Sequence, residues 1–199
     1  MPTQNNNYDS KEIKDMYCDE VSFFKYVVPL IYRHVTLDFC DMQPQNFINF
    51  AKEWGKKPTS VFLHGTYGSG KTQFAFAMIR EMFRSCPIKL WPRYFTSTEL
   101  DKRLLKALKS EEGDEYEIKN IASQDILFID DIGRETKSDR LRNQYFEIFN
   151  YRYSHKLPTI LTSNFDLEDL DEVIDGSIAS RIQEWNILRF KDRDLRIAQ

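Results

Sequence analysis

Three of the chain's seven glycines crowd into the octapeptide Gly65-Thr66-Tyr67-Gly68-Ser69-Gly70-Lys71-Thr72. Glycines permit a turn whose successive backbone N–H groups converge on an oxyanion, and a helix starting at once adds the partial positive charge of its N-terminus. Lys71 would then neutralise the β and γ phosphates of a nucleoside triphosphate, and the Thr72 hydroxyl would coordinate Mg²⁺. The string satisfies G-x-x-x-x-G-K-[ST] at every required position. Gly65, Thr66, Tyr67, Gly68, Ser69, Gly70, Lys71 and Thr72 are therefore all expected at the nucleotide.

Further strings end apolar runs in polar groups suited to the same substrate. Ile126-Leu127-Phe128-Ile129 is followed by Asp130 and Asp131, and the end of a buried strand is where an α/β sheet places ligands. Asp130 would hold Mg²⁺ through its water shell, and Asp131 would polarise the water that attacks the γ phosphate. Because neighbouring residues on a strand point to opposite sides, the two carboxylates are expected to divide these roles. Thr159-Ile160-Leu161 runs into Thr162-Ser163-Asn164, so Asn164 is a candidate to orient the water and sense the γ phosphate; an asparagine there also serves as a plain turn former. In Ser177-Ile178-Ala179-Ser180-Arg181-Ile182 an arginine lies on a short helical stretch. Arg181 either stabilises charge on a phosphoryl group across a subunit boundary or makes a surface salt bridge worth about 0–1 kcal/mol.

The elements needed to hold these groups are legible on either side of them. Pro58 precedes the apolar run Ser60-Val61-Phe62-Leu63-His64, a strand, and Phe74, Ala75, Met78, Ile79 and Met82 recur at helical spacing until Cys86-Pro87. A strand is expected over residues 90–95, then a helix opened by Thr96-Ser97-Thr98-Glu99, with Leu100, Leu104, Leu105 and Leu108 on one face. The acidic stretch Glu111-Glu112-Gly113-Asp114-Glu115 reads as a solvated connection. The carboxylate strand leads to a helix with Leu141, Tyr145, Ile148 and Phe149 on its core face, then to the Thr159-Ile160-Leu161-Thr162 strand and a last strand within residues 185–190. Strands separated by helix-length segments predict parallel βαβ crossovers and a sheet covered on both faces.

The 199 residues allow one such domain with a short appendage, not two large domains. Basic and acidic residues number 28 and 31, a net charge of −3, which excludes a globally basic nucleic-acid coat but leaves room for local patches. No apolar run of about 18 residues offers a membrane span. The N-terminus lacks the basic start and apolar stretch of a signal peptide, and Cys18, Cys40 and Cys86 lie too far apart for a zinc knuckle or disulfide framework; the expected setting is cytoplasmic. Residues 1–40 read as a short helical extension and 41–199 as the catalytic domain. The cluster Phe23, Phe24, Tyr26, Val27 and Val28 has two readings, packing against that domain or docking a partner.

Taken together, the phosphate loop, Ile126-Leu127-Phe128-Ile129-Asp130-Asp131-Ile132-Gly133, Tyr151-Arg152-Tyr153 before Leu157-Pro158-Thr159-Ile160-Leu161-Thr162-Ser163-Asn164, Ser180-Arg181 and the closing Asp192-Arg193-Asp194-Leu195-Arg196 resemble the AAA+ ATPases of the DnaC/DnaI helicase-loader and IstB transposition-helper group over about residues 36–197. The resemblance implies an α/β P-loop NTPase with a parallel sheet of order 5-1-4-3-2, ATP and Mg²⁺ as ligands, and a homo-oligomer in the ATP state with Arg181 acting in trans. It further implies a replicative helicase and single-stranded DNA as partners, no membrane, and a slow, regulatory ATPase in replication initiation. A transposition helper on double-stranded DNA is the alternative; a small-molecule kinase or an ATP-binding adaptor without turnover are weaker ones. The chain departs from its relatives at Thr66-Tyr67, where they often carry two prolines. No helical lid domain is expected after Arg196, and the extension has no zinc cysteine cluster. For DNA, the basic clusters are Arg93, Lys102, Arg103, Lys106 and Lys109, and Arg134, Lys137, Arg140 and Arg142, with Tyr94 or Phe95 as candidate stacking groups.

Overall fold

Apolar runs too short for helices alternate with amphipathic stretches, which buries the strands and lays the helices on their faces. The computed structural model, which describes residues 19–40, 43–108, 113–133, 138–174 and 176–190, has that arrangement. In chain order the elements are α1 (Glu20–Tyr26), two 3₁₀ turns (Leu30–Tyr32 and Leu37–Cys40), α2 (Gln45–Lys56), β1 (Val61–His64), α3 (Lys71–Ser85), β2 (Pro92–Thr96), α4 (Ser97–Ala107), α5 (Gly113–Ala122), β3 (Ile126–Ile132), α6 (Asp139–Ser154), β4 (Thr159–Ser163), α7 (Leu167–Val173), α8 (Gly176–Ile182) and β5 (Asn186–Arg189).

All pairings in the sheet are parallel, and its order β2-β3-β4-β1-β5 is the expected 5-1-4-3-2 order read from the other edge. The period-2 alternation of strand side chains splits the core in two. Val61, Leu63, Ile126, Phe128 and Ile160 face α1, α2 and α3, whereas Phe62, Leu127, Ile129 and Leu161 face α4, α5, α6 and α8. Because every strand runs the same way, the C-terminal ends of β1, β3 and β4 lie side by side, with His64 opposite Ser163 and Ile132 opposite the same residue. The three chemical strings of the sequence leave the sheet at that edge.

Several details differ from the expectations. Gly113, Asp114 and Glu115 do not form a connection but open α5, where two carboxylates in the first turn suit the helix N-terminus; Ile118, Ile121 and Ala122 bury its other face. Leu105 is exposed, because the inward face of α4 is made by Leu100, Asp101, Leu104 and Ala107. Helix α7 had no sequence expectation; Asp166 caps it by accepting from the Glu168 and Asp169 amides. The Thr96 and Glu99 signals do form a reciprocal capping box. Lys109, Arg134, Lys137 and the closing 192–196 string lie outside the described residues.

Of the N-terminal aromatic cluster, Phe23, Phe24 and Val28 are buried in the same core as α3, while Tyr26 is exposed. Glu20 fastens α1 to α3 through Arg80 and Arg84, and Arg80 also donates to the Val35 and Arg33 carbonyls. At the opposite end of the sheet, the buried Arg152 donates to the carbonyls of Ala122, Gln124 and Pro158 and to the Thr159 hydroxyl. One guanidinium thus ties α5, β3, α6 and β4 together.

Candidate nucleotide site

Residues 65–70 join β1 to α3, and the glycines among them answer specific demands. A Cβ on Gly65, whose φ is +141°, would run into the Phe190 carbonyl. Gly70 caps α3 with φ +91° and no side-chain hydrogen bond to the helix. The first N–H groups of a helix have no intrahelical acceptor, so this end of α3 offers donors and partial positive charge of the kind that suits an anion. Ser69 is buried and braces the turn by donating from Oγ to the Thr66 carbonyl at 2.8 Å. Gly68 has positive φ within the turn, and Tyr67 projects outward, 60% exposed.

Lys71, almost fully buried, donates from Nζ to the Gly65 and Thr66 carbonyls at 2.8 and 2.7 Å and to Asn164 Oδ1 at 2.9 Å. Asn164 in turn donates from Nδ2 to Asp131 Oδ1. Alongside this chain, Asp130 Oδ1 accepts from the hydroxyls of Thr72 at 2.8 Å and Thr162 at 2.6 Å. Thr162 Oγ1 also accepts from the Asp131 amide at 2.8 Å, so Lys71, Thr72, Asp130, Asp131, Thr162 and Asn164 form one hydrogen-bonded assembly across three strand ends.

Burial, the largest influence, pushes the Asp130 carboxyl above the ordinary carboxylate range, as does the Asp131 charge; the Thr162 and Thr72 hydrogen bonds oppose them. Tyr94, on β2, points its hydroxyl at Asp130 Oδ2 at 3.4 Å, and burial with that carboxylate's charge raises its pKa far above the usual tyrosine value. His64, just before the loop, has its pKa lowered by burial and by the Arg189 and Lys71 charges.

The expected alternation of Asp130 and Asp131 does not hold. Asp131 adopts φ +58°, and the β3–β4 register jumps between Ile129 and Ile132. Such a bulge re-aims side chains locally, and both carboxylates turn into the same assembly. Arg181 stands apart from it. On α8 its Nη2 donates to Asn150 of α6 at 2.8 Å, its guanidinium lies over the Phe146 and Tyr153 rings, and Nη1 is buried with no hydrogen-bond partner among the described residues.

Tyr94 and Phe95 are not free stacking groups: Tyr94 packs against both Phe76 and Phe128, and Phe95 is buried. Three residues that the motif pattern passes over belong to the site. Tyr94 is diagonal to Asp130 on the neighbouring strand, Thr162 is the inward polar residue two before Asn164, and Gln43 donates to the Ser69 carbonyl at 2.9 Å. A polar residue inside an apolar strand is a signal for Thr162; nothing local marks the other two.

The donor set fits Mg²⁺ with a triphosphate. Thr72 Oγ1 and the Asp130 carboxylate supply hard oxygens side by side, and Mg²⁺ typically takes one or two protein oxygens together with substrate phosphates. Among the described residues no group of three or more His, Cys, Asp or Glu side chains could hold a metal alone.

A five-stranded parallel sheet of this order, with a phosphate loop after β1, paired aspartates ending β3 and a polar residue ending β4, defines a P-loop nucleoside triphosphatase of the AAA+ type. Residues 44–187 match the model of the bacterial DnaA ATPase domain, and the chain belongs to that family. It is 31% identical over 137 residues to the phage-like element PBSX protein XkdC of Bacillus subtilis (strain 168), covering 64% of this chain and 48% of that protein. To the replicative helicase loader DnaI of the same organism it is 26% identical over 160 residues, 77% of this chain and 49% of that one. A crystal structure of the DnaC helicase loader is similar with a TM-score of 0.68 at 25% identity, covering 82% of this chain and 100% of that chain. The chain spans about half the length of these two curated relatives. The likeness to the DnaC and DnaI group drawn from the motifs agrees with these matches.

Proposed function

We propose that this chain is the ATPase of a cytoplasmic helicase loader that acts in the initiation of DNA replication. The observation that carries the ATPase reading is the hydrogen-bonded assembly in which Lys71 reaches Asn164 and Asp131, Thr72 reaches Asp130, and Thr162 joins the two aspartates. The helicase-loading reading is supported by the likeness to the DnaI and DnaC loaders.

In this reading the loop amides and Lys71 hold the β and γ phosphates, and Thr72 with Asp130 holds the metal. When bound, Mg²⁺ supplies Lewis-acid charge at the phosphoryl oxygens. Asp131 accepts the proton of the attacking water, and Asn164, hydrogen-bonded to both Lys71 and Asp131, orients that water and registers whether the γ phosphate is present. Arg181 serves the nucleotide of a neighbouring copy in an ATP-dependent homo-oligomer, with slow turnover resetting the assembly. Lys102 and Lys106, exposed one turn apart on α4, contribute to binding single-stranded DNA; Arg103 on the same helix is engaged by Glu117.

The test is a fluorescent ATP analogue titrated into the chain and into Lys71→Ala, followed by hydrolysis assays, capture on a replicative helicase hexamer, and binding to single- and double-stranded DNA. Tight Mg²⁺-dependent binding that Lys71→Ala weakens at least about 100-fold, a loss of about 3 kcal/mol, is the expected result. Failure of the parent chain to bind nucleotide would overturn the ATPase reading. Absence of helicase capture with a preference for duplex DNA would overturn the loader reading.

A further inference from the structure

The bulge at the end of β3 puts two residues, Asp130 and Asp131, against one residue of β4. Leu161 pairs with Ile129 and Ser163 with Ile132, so Thr162 stands alone opposite the pair. A bulged residue loses its regular ladder partner. Here the amide of Asp131 donates instead to Thr162 Oγ1 at 2.8 Å, while the same hydroxyl donates its own hydrogen to Asp130 Oδ1 at 2.6 Å. A hydroxyl has one hydrogen to give and lone pairs to receive, and this one spends both capacities on the two neighbouring acidic residues. Thr162 is 1% exposed, so the hydroxyl is held within the packed strand and its hydrogen bonds are to protein groups.

We propose that Thr162 is the positioning residue of the site: by clamping the bulge it aims the Asp130 carboxylate at the metal position and holds Asp131 in the left-handed conformation that turns its carboxylate toward Asn164. This rests on the roles assigned to Asp130 and Asp131 above. A packing role alone would be met by valine, which has the same shape. The clamp is met by serine, which keeps the hydroxyl.

Thr162→Val and Thr162→Ser are compared with the parent chain in two measurements. In the first, a fluorescent ATP analogue is titrated with EDTA and then across Mg²⁺ concentrations. Thr162→Val is expected to bind as the parent does in EDTA, yet to need about 10–100-fold more Mg²⁺ for the metal-dependent gain, the usual penalty for losing a group that orients a metal ligand. In the second, hydrolysis at saturating Mg²⁺ should show kcat reduced with KM for ATP little changed, and Thr162→Ser should restore both properties. Parent-like Mg²⁺ dependence and kcat in Thr162→Val, or a loss in folded Thr162→Ser as large as in Thr162→Val, overturns the proposal while leaving the ATPase reading intact. Should Thr162→Val not fold, Thr162→Ser decides alone: parent-like values support the clamp and impaired ones overturn it. If the parent chain shows no Mg²⁺-dependent nucleotide binding, the ATPase reading falls and this inference falls with it.

Discussion

Asp130 is a buried carboxylate beside a second one. Its carboxyl titrates higher in the fold than in the unfolded chain. The stability it contributes is therefore fullest below the unfolded carboxylate range, near pH 4 as an approximate mark, and is lost as pH rises through the folded value. Its charged form is the one that holding a metal would call for and that burial disfavours. Asp130→Asn keeps an oxygen to accept from Thr72 and Thr162, so it is expected to raise the thermal midpoint at neutral pH, by about 2–4 °C per kcal/mol relieved, while abolishing hydrolysis. The gain should shrink as pH falls toward about 4. Thermal melts of the two proteins across that pH range check it, and a gain independent of pH would contradict the assignment.

Elements are held by a second kind of buried charge. Arg152 serves no reacting group; it satisfies the carbonyls where α5 ends, β3 begins and β4 begins. Burial lowers its pKa to about 9, so the guanidinium stays charged at neutral pH. Arg152→Met would take the donor from the Ala122 and Gln124 carbonyls and one of two partners from the Pro158 carbonyl and the Thr159 hydroxyl; a loss of about 2–6 kcal/mol, about 1–3 for each orphaned carbonyl, is expected from urea unfolding. Arg152→Lys should recover only part of it, because an ammonium lacks the planar fork. A loss below about 1 kcal/mol would mean that the carbonyls find other partners.

At the scale of the whole molecule, the proposed role of Arg181 across subunits can be told from a purely structural one. It takes no part in the network that joins Lys71 to Asp131, and it rests on Asn150, Phe146 and Tyr153. Leaving Asn150 gives up one hydrogen bond, a net cost of about 1 kcal/mol, which is small against the charge stabilisation an arginine lends to phosphoryl transfer. Arg181→Ala is expected to keep the parent's nucleotide affinity and to lose any rise in turnover per chain as protein concentration increases. Turnover rising equally steeply in both proteins would refute a role across subunits.

Much of this was legible in the chain because it is written in short windows. Glycine spacing marks residues 65–72, the alternation of strand residues sorts the two halves of the core, and the Thr96–Glu99 signals open α4. The capping of α7 by Asp166 was equally local, but its seven residues are too few for a convincing periodicity. What only the tertiary structure decided depends on which strand lies beside which and where the ladder slips. Composition left the N-terminal aromatics with two readings; packing of Phe23 and Phe24 against α3 supplies the observed one. Tyr94 meets Asp130 only because β2 and β3 pair in that register. The period-2 rule assigned Asp130 and Asp131 to opposite faces, and a one-residue bulge overruled it, since the amide freed by the slip found the Thr162 hydroxyl, 31 residues away in sequence.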